Sequence, residues 1–100
     1  MAVDIDLMRK HAATACRLLG AMANEKRLMI LCQLVSEERS VNELAEALEL
    51  RQSTVSQHLA LLRKDGLVVC RRDAQSQLYS LTGREARAVV DTLYQLYCAK

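Results

Sequence analysis

Arg51-Gln52-Ser53-Thr54-Val55-Ser56-Gln57-His58-Leu59-Ala60-Leu61-Leu62-Arg63-Lys64-Asp65-Gly66-Leu67-Val68 is the stretch on which the reading of this chain turns. Residues 53 to 64, set at the α-helical period, divide into two sides. Val55, Leu59 and Leu62 fall together, with His58 beside them. Ser53, Ser56, Gln57, Ala60, Arg63 and Lys64 fall opposite. The first side can pack. The second offers short hydrogen-bonding groups, one small residue that permits close approach, and cations at one end. Those side-chain types reach base edges and phosphates in a major groove. A merely solvated polar face would give the same wheel, so the flanks must decide.

Upstream, Ser40-Val41-Asn42-Glu43 has the capping-box form, in which Ser and Glu satisfy each other's backbone donors. It predicts a short helix through Leu44, Ala45 and Leu48. Glu49-Leu50-Arg51 then leaves room only for a tight turn, as a helix-turn-helix requires. Downstream, Gly66 stands where a left-handed C-cap glycine belongs. Leu67 to Arg72 and Gln77 to Leu81 are rich in Val, Leu and Tyr and flank the turn-like Asp73-Ala74-Gln75-Ser76. They predict a β-hairpin with a weak, glycine-free turn. Arg71 and Arg72 fall near its tip, where a wing would meet a phosphate backbone.

Ser53-x-x-Ser56-x-His58-Leu59-x-x-Leu62-x-x-x-Gly66-Leu67-Val68 resembles the DNA-binding signature of the ArsR/SmtB bacterial repressors. The resemblance extends over nearly the whole chain. It implies a mainly α winged helix-turn-helix with a β-hairpin wing, acting as a homodimer on double-stranded operator DNA. Two positions depart from the family pattern. Arg51 stands where a Ser often caps the recognition helix, which leaves capping to Ser53 or to solvent. Glu25 stands where many members have Pro in the first turn of the second helix; Glu is still favourable near a helix N-terminus.

One hundred residues support one domain, expected to span 1–100. Apolar residues make up 51%, enough for a folded core. The only aromatics are Tyr79, Tyr94 and Tyr97, so stacking on unpaired bases is not the expected mode of recognition. Net charge is +2, too small to argue for nucleic acid, but its distribution is uneven. Glu37, Glu38, Glu43, Glu46 and Glu49 against Arg39 give −4 over Ser36–Leu50. Arg51, Arg63, Lys64, Arg71 and Arg72 against Asp65 and Asp73 give +3 over Arg51–Asp73. The basic cluster coincides with the reading helix and wing.

Ser53, Thr54, Ser56, Gln57 and His58, with Gln52 before them, are therefore the candidates for the base-reading end of the helix. Arg51, Arg63, Lys64, Arg71 and Arg72 are the candidates for phosphate and wing contacts. His58 could equally pack against the first helix of the motif.

The acidic start Met1-Ala2-Val3-Asp4-Ile5-Asp6 lacks a basic, then apolar, leader. No apolar run approaches the ~20 residues that span a bilayer. A cytoplasmic chain with no membrane partner is expected. A first helix is predicted from about Asp4 to Leu19, with Leu7, His11, Ala15, Leu18 and Met22 as an apolar stripe. A second, capped by Asn24, is predicted from Glu25 to about Val35. Thr82-x-x-Glu85 reads as another capping box, opening a last helix with Ala86, Val89, Val90, Leu93, Leu96 and Tyr97 on a broad apolar face. A small domain does not need that much apolar surface for itself, so the first and last helices are candidates for a two-fold interface. The resemblance implies the same pairing.

The cysteines are Cys16, Cys32, Cys70 and Cys98, and none forms Cys-x-x-Cys. A structural zinc site is poorly supported, and neither a metal nor another cofactor is expected. Cys16 and Cys70 read as small buried hydrophobes. The family's usual metal sites lack their ligands here. Val41–Leu48 has no thiol, and the last helix offers Asp91 without a histidine. A soft-metal site built from thiolates of different helices stays open.

Cys32 in Leu28-Met29-Ile30-Leu31-Cys32-Gln33-Leu34 and Cys98 in Leu96-Tyr97-Cys98 resemble the thiol pair of the sulfide-responsive, BigR/SqrR-type branch. That resemblance implies a repressor whose two thiols are linked by persulfide or polysulfide, which frees the operator. One thiol attacks the sulfane sulfur and the other resolves the adduct. A soft-metal-responsive repressor and a winged-helix protein-interaction module are the alternatives. An enzyme is not expected, since no general base is paired with a cysteine.

Overall fold

The computed structural model describes residues 1–99. The order is α1 (Ile5–Met22), α2 (Glu25–Leu34), β1 (Arg39–Ser40), α3 (Val41–Leu48), α4 (Gln52–Lys64), β2 (Val68–Asp73), β3 (Ser76–Leu81) and α5 (Glu85–Tyr97). The fold is a mainly helical winged helix-turn-helix: α3 and α4 form the motif, β2 and β3 the wing.

Local chemistry explains most boundaries. Asp4 caps α1, its carboxylate accepting from the Leu7 N–H at 3.1 Å. Asn24 caps α2 in the same way through the Arg27 N–H, also at 3.1 Å. Arg27 then folds back, its Nε donating to the Ala21 carbonyl at 2.7 Å. That bond occupies a carbonyl at the end of α1 that would otherwise lack a helical partner. The capping box opens α3: Ser40 Oγ accepts from the Glu43 N–H at 3.2 Å, and Glu43 Oε1 from the Ser40 N–H at 2.8 Å. Glu49 ends α3 with φ 56, a left-handed conformation that costs a non-glycine residue roughly 1–2 kcal/mol. Its return is the sharp turn into α4.

Gly66, at φ 79, lets α4 close. The Leu67 N–H reaches the Leu62 carbonyl at 2.9 Å and the Gly66 N–H the Arg63 carbonyl at 3.0 Å. This is the paired bonding of a Schellman cap, sealed by the buried side chains of Leu62 and Leu67.

The core lies under the motif. Ile30, Leu31 and Leu34 of α2, Leu44 of α3, and Val55, Leu59 and Leu62 of α4 are at most 1% exposed. Val68 of β2 joins them from the wing, and Ala86 and Val90 from α5.

Two features differ from the sequence expectations, while the weak wing turn forms where expected, between Asp73 and Ser76. Arg39–Ser40 forms a third strand, pairing antiparallel with Tyr79 and Leu78 to give the order β1-β3-β2. Two residues are too few to show an alternating pattern. The wing turn is a two-residue loop between paired Asp73 and Ser76, with Ala74 at φ 55 supplying the turn that a glycine normally makes. The Thr82/Glu85 capping box does not form. The Thr82 N–H is bound to the Leu67 carbonyl at 2.9 Å, closing the base of the wing. Gly83 turns at φ 72 and α5 starts at Glu85, whose carboxylate accepts from the Arg84 N–H at 3.1 Å.

The outer helices leave much apolar surface open. Ile5, Leu7, Met8 and Leu19 of α1 are more than half exposed, as are Tyr94, Leu96 and Tyr97 of α5. Among the described residues no helix is long and apolar enough to cross a membrane.

Candidate nucleic-acid interface and thiol pair

Helix α4 is seated by Val55, Leu59 and Leu62 and presents its other side outward. Gln52, Ser53, Ser56, Gln57, Arg63 and Lys64 are exposed, and Arg51 lies exposed at the N-cap. No side chain caps α4, so its first backbone N–H groups face outward without a side-chain acceptor. Ser53 is not the cap, because the helix already begins at Gln52. Thr54 is half-buried at the edge of the face.

His58 is turned inward. Its Nδ1 is buried without a hydrogen-bond partner. Burial, and then the charges of Arg27 and Lys26 on α2, hold the imidazole below its ordinary pKa. Of the candidate base contacts, His58 is the one that is half-buried with an Nδ1 turned from solvent, which favours the alternative of a packed side chain. The physical reason is its place on the wheel beside Val55, Leu59 and Leu62.

This predicts a pH effect. The folded chain keeps His58 neutral, while the unfolded chain protonates it near pH ~6.5. The contribution to stability is complete above that value and is lost as pH falls through the lower folded value. Thermal melts at pH 7.5 and 5.5 should show a smaller acid loss in His58→Gln than in the wild type; equal losses would refute the assignment.

The wing carries Arg71 and Arg72 on β2. Arg72 is exposed and paired in register with Gln77. Arg71 is engaged within the chain. Its Nε donates to the two Glu38 oxygens at 3.1 and 2.9 Å, and its Nη2 completes a fork. The hydrogen bond from Arg71 holds the Glu38 carboxyl below the usual range. Arg71 is thus a brace between the wing and the segment after α2, rather than an unpaired cation awaiting a phosphate. Nothing in the local sequence could reveal this, since 33 residues separate the partners.

Cys32 on α2 and Cys98 at the C-cap of α5 are both free thiols, and both are exposed. They belong to α2 and the end of α5, two helices that pack against each other. Burial raises the Cys32 pKa, and the Cys98 thiol raises it further. Iodoacetamide labelling of Cys32, followed by peptide mass spectrometry, should therefore keep accelerating above the usual thiol range. In Cys98→Ser the profile should move partway to lower pH, because burial is the larger cause. An unmoved profile would separate the two thiols.

Cys16 is exposed on α1 and Cys70 half-buried on β2 beside Tyr79, so neither is the fully buried hydrophobe expected. Among the described residues no three His, Cys, Asp or Glu side chains converge as a metal site.

Residues 24–69 match the family described as bacterial regulatory protein, arsR family. The transcriptional activator HlyU of Vibrio cholerae is 51% identical over 96 residues, covering 96% of this chain and 89% of that protein. The biofilm growth-associated repressor of Agrobacterium fabrum is 38% identical over 97 residues, covering 97% of this chain and 83% of that protein. The crystal structure of the repressor BigR from Xylella fastidiosa matches with a TM-score of 0.91 at 37% identity, covering 98% of this chain and all of that one. The chain belongs to the arsR family.

Within an ArsR-family frame the site residues fall into two groups. The exposed face of α4 and the exposed wing residue Arg72 make up the first. In the second, Cys32 lies on α2 and Cys98 at the C-cap of α5, the helix that packs against α2. Sequence reasoning missed the residues that join elements to the end of α2: Glu38, Arg39 and Arg87. Arg39 Nε donates to the Gln33 carbonyl at 3.3 Å, and the Arg87 guanidinium of α5 donates to the Val35 carbonyl.

Proposed function

We propose that this ArsR-family regulator is a cytoplasmic homodimeric repressor that holds operator DNA while Cys32 and Cys98 are reduced, and leaves it when persulfide or polysulfide links them. The observation that supports the switch is that Cys32 on α2 and Cys98 at the C-cap of α5 are both free and exposed, on two helices packed against each other. The exposed α4 face, with Gln57 and Ser56 for base edges and Arg51, Arg63, Lys64 and Arg72 for phosphates, supports DNA as the partner. The apolar faces of α1 and α5 support a two-fold pairing, which would set the two α4 helices about one or more helical turns apart.

The chemistry balances with a low-molecular-weight persulfide, RSSH, as the oxidant. Each cysteine thiolate attacks a sulfane sulfur and expels RSH, giving two cysteine persulfides. One persulfide anion then attacks the inner sulfur of the other and expels hydrogen sulfide. Two thiols and two RSSH thus yield one trisulfide bridge, two RSH and one molecule of hydrogen sulfide. An extra sulfur lengthens the bridge beyond the ~7 Å Cα limit of a direct disulfide.

The test is a mobility shift against DNA upstream of the chain's own gene, with the protein reduced or treated with glutathione persulfide, beside intact-protein mass spectrometry. Specific, salt-dependent binding that falls as a sulfur-bearing Cys32–Cys98 link forms is expected. Binding that persists on fully linked protein would defeat the switch. Gln57→Ala should weaken operator binding by about 1–3 kcal/mol and relax preference at one base position. Unchanged preference would remove Gln57 from the reading residues.

A further inference from the structure

The segment that follows α2 is held from two sides. Helix α2 carries Cys32, and the Cys32 carbonyl accepts the Val35 N–H at 3.3 Å. One turn beyond Cys32, the Val35 carbonyl receives Arg87 from the first turn of α5. Three residues further, Glu38 grips Arg71 on the wing strand β2 through a forked pair. Arg39 closes the segment, with Nε on the Gln33 carbonyl at 3.3 Å and Nη1 3.5 Å from Glu37 Oε1.

We propose that Arg87 and Glu38 are positioning residues that carry the state of the Cys32/Cys98 pair to the wing, with Arg71 acting as the wing's handle rather than as a DNA ligand. The proposal rests on the reading above that linking the two thiols releases DNA. Helix α5 packs on α2 and carries Arg87 in its first turn and Cys98 at its C-cap, eleven residues or ~16 Å of helix apart. A bridge formed at the Cys98 end draws α5 onto α2. The Arg87 anchor then passes the rotation to Val35, and the three-residue span to Glu38 passes it to Arg71. The wing strand is thereby tied to the thiols by charge-assisted hydrogen bonds, whose fixed geometry suits them to transmit a change in attitude. Two states of one element, biased by a distant site, are what allosteric coupling requires.

The experiment uses Glu38→Gln, Arg87→Met and the charge-exchanged Glu38→Arg/Arg71→Glu double variant. For each, operator affinity is measured reduced and after glutathione persulfide, with the yield of the Cys32–Cys98 link read by mass spectrometry. In Glu38→Gln and Arg87→Met the link is expected to form as in the wild type. The persulfide-induced loss of affinity should shrink at least tenfold toward no loss. Reduced Glu38→Gln should also show a salt slope steeper by about one, as the freed Arg71 finds a phosphate. The double variant should regain release. Single variants that link and release with the wild-type ratio would overturn the proposal. A wild type that links without releasing DNA would instead overturn the function on which it rests, and the proposal with it.

Discussion

Cys98→Ser will hold operator DNA as tightly as the wild type when reduced, and will keep holding it after persulfide treatment; Cys32→Ser will do the same for a different reason. In Cys98→Ser the remaining thiol is Cys32, whose pKa is raised by desolvation. It reacts slowly and has no second sulfur with which to close a bridge. In Cys32→Ser the exposed Cys98 reacts but stays a terminal persulfide on α5. Neither product ties α5 to α2. An allosteric coupling of ordinary size, 1–3 kcal/mol, is a roughly 5- to 150-fold change in affinity. The wild type should show a loss in that range and both variants a ratio near one. Mobility shifts at fixed salt and protein concentration, with mass spectrometry of the same samples, measure this. If either variant releases DNA in the wild-type ratio, bridging is not the trigger.

What can be read from the sequence follows the range of the interactions concerned. The Ser40/Glu43 box and the Gly66 cap close over three to five residues, and both are legible. Thr82/Glu85 has the same spacing as Ser40/Glu43 and fails, because the Thr82 N–H is already bound to Leu67 across the base of the wing. A tertiary partner overrides a local motif there. His58 sits at the margin of the wheel, and only the fold shows that its Nδ1 is buried. Arg71 reads as a wing cation because its charge is visible in the sequence and its partner is not. The same holds for Arg87, whose acceptor is a carbonyl 52 residues away. The Cys32/Cys98 pairing is suggested by resemblance alone, since nothing local brings residues on α2 and α5 together.

Leu59→Ala tests whether the reading face depends on its seat. Leu59 is fully buried at the centre of α4, in the same core as Leu44 of α3 and Ile30, Leu31 and Leu34 of α2. Truncation there removes three carbons and leaves a cavity, at a cost of about 2–5 kcal/mol. A domain this size has roughly 5–15 kcal/mol in all, so the loss is a large share. Each kcal/mol moves the melting point by about 4–8 °C, and a fall on the order of 10–20 °C or more is expected in melts at one protein concentration. The effect on DNA should differ in kind from that of Gln57→Ala. Leu59 touches no outward group, so its loss should loosen α4 against α3 and weaken operator and non-operator DNA alike, where losing Gln57 discriminates between them. A melting point within a few degrees of the wild type would mean that α4 is not held by this core. A selective loss of operator preference would mean that the packed side, and not only the exposed one, sets which bases are read.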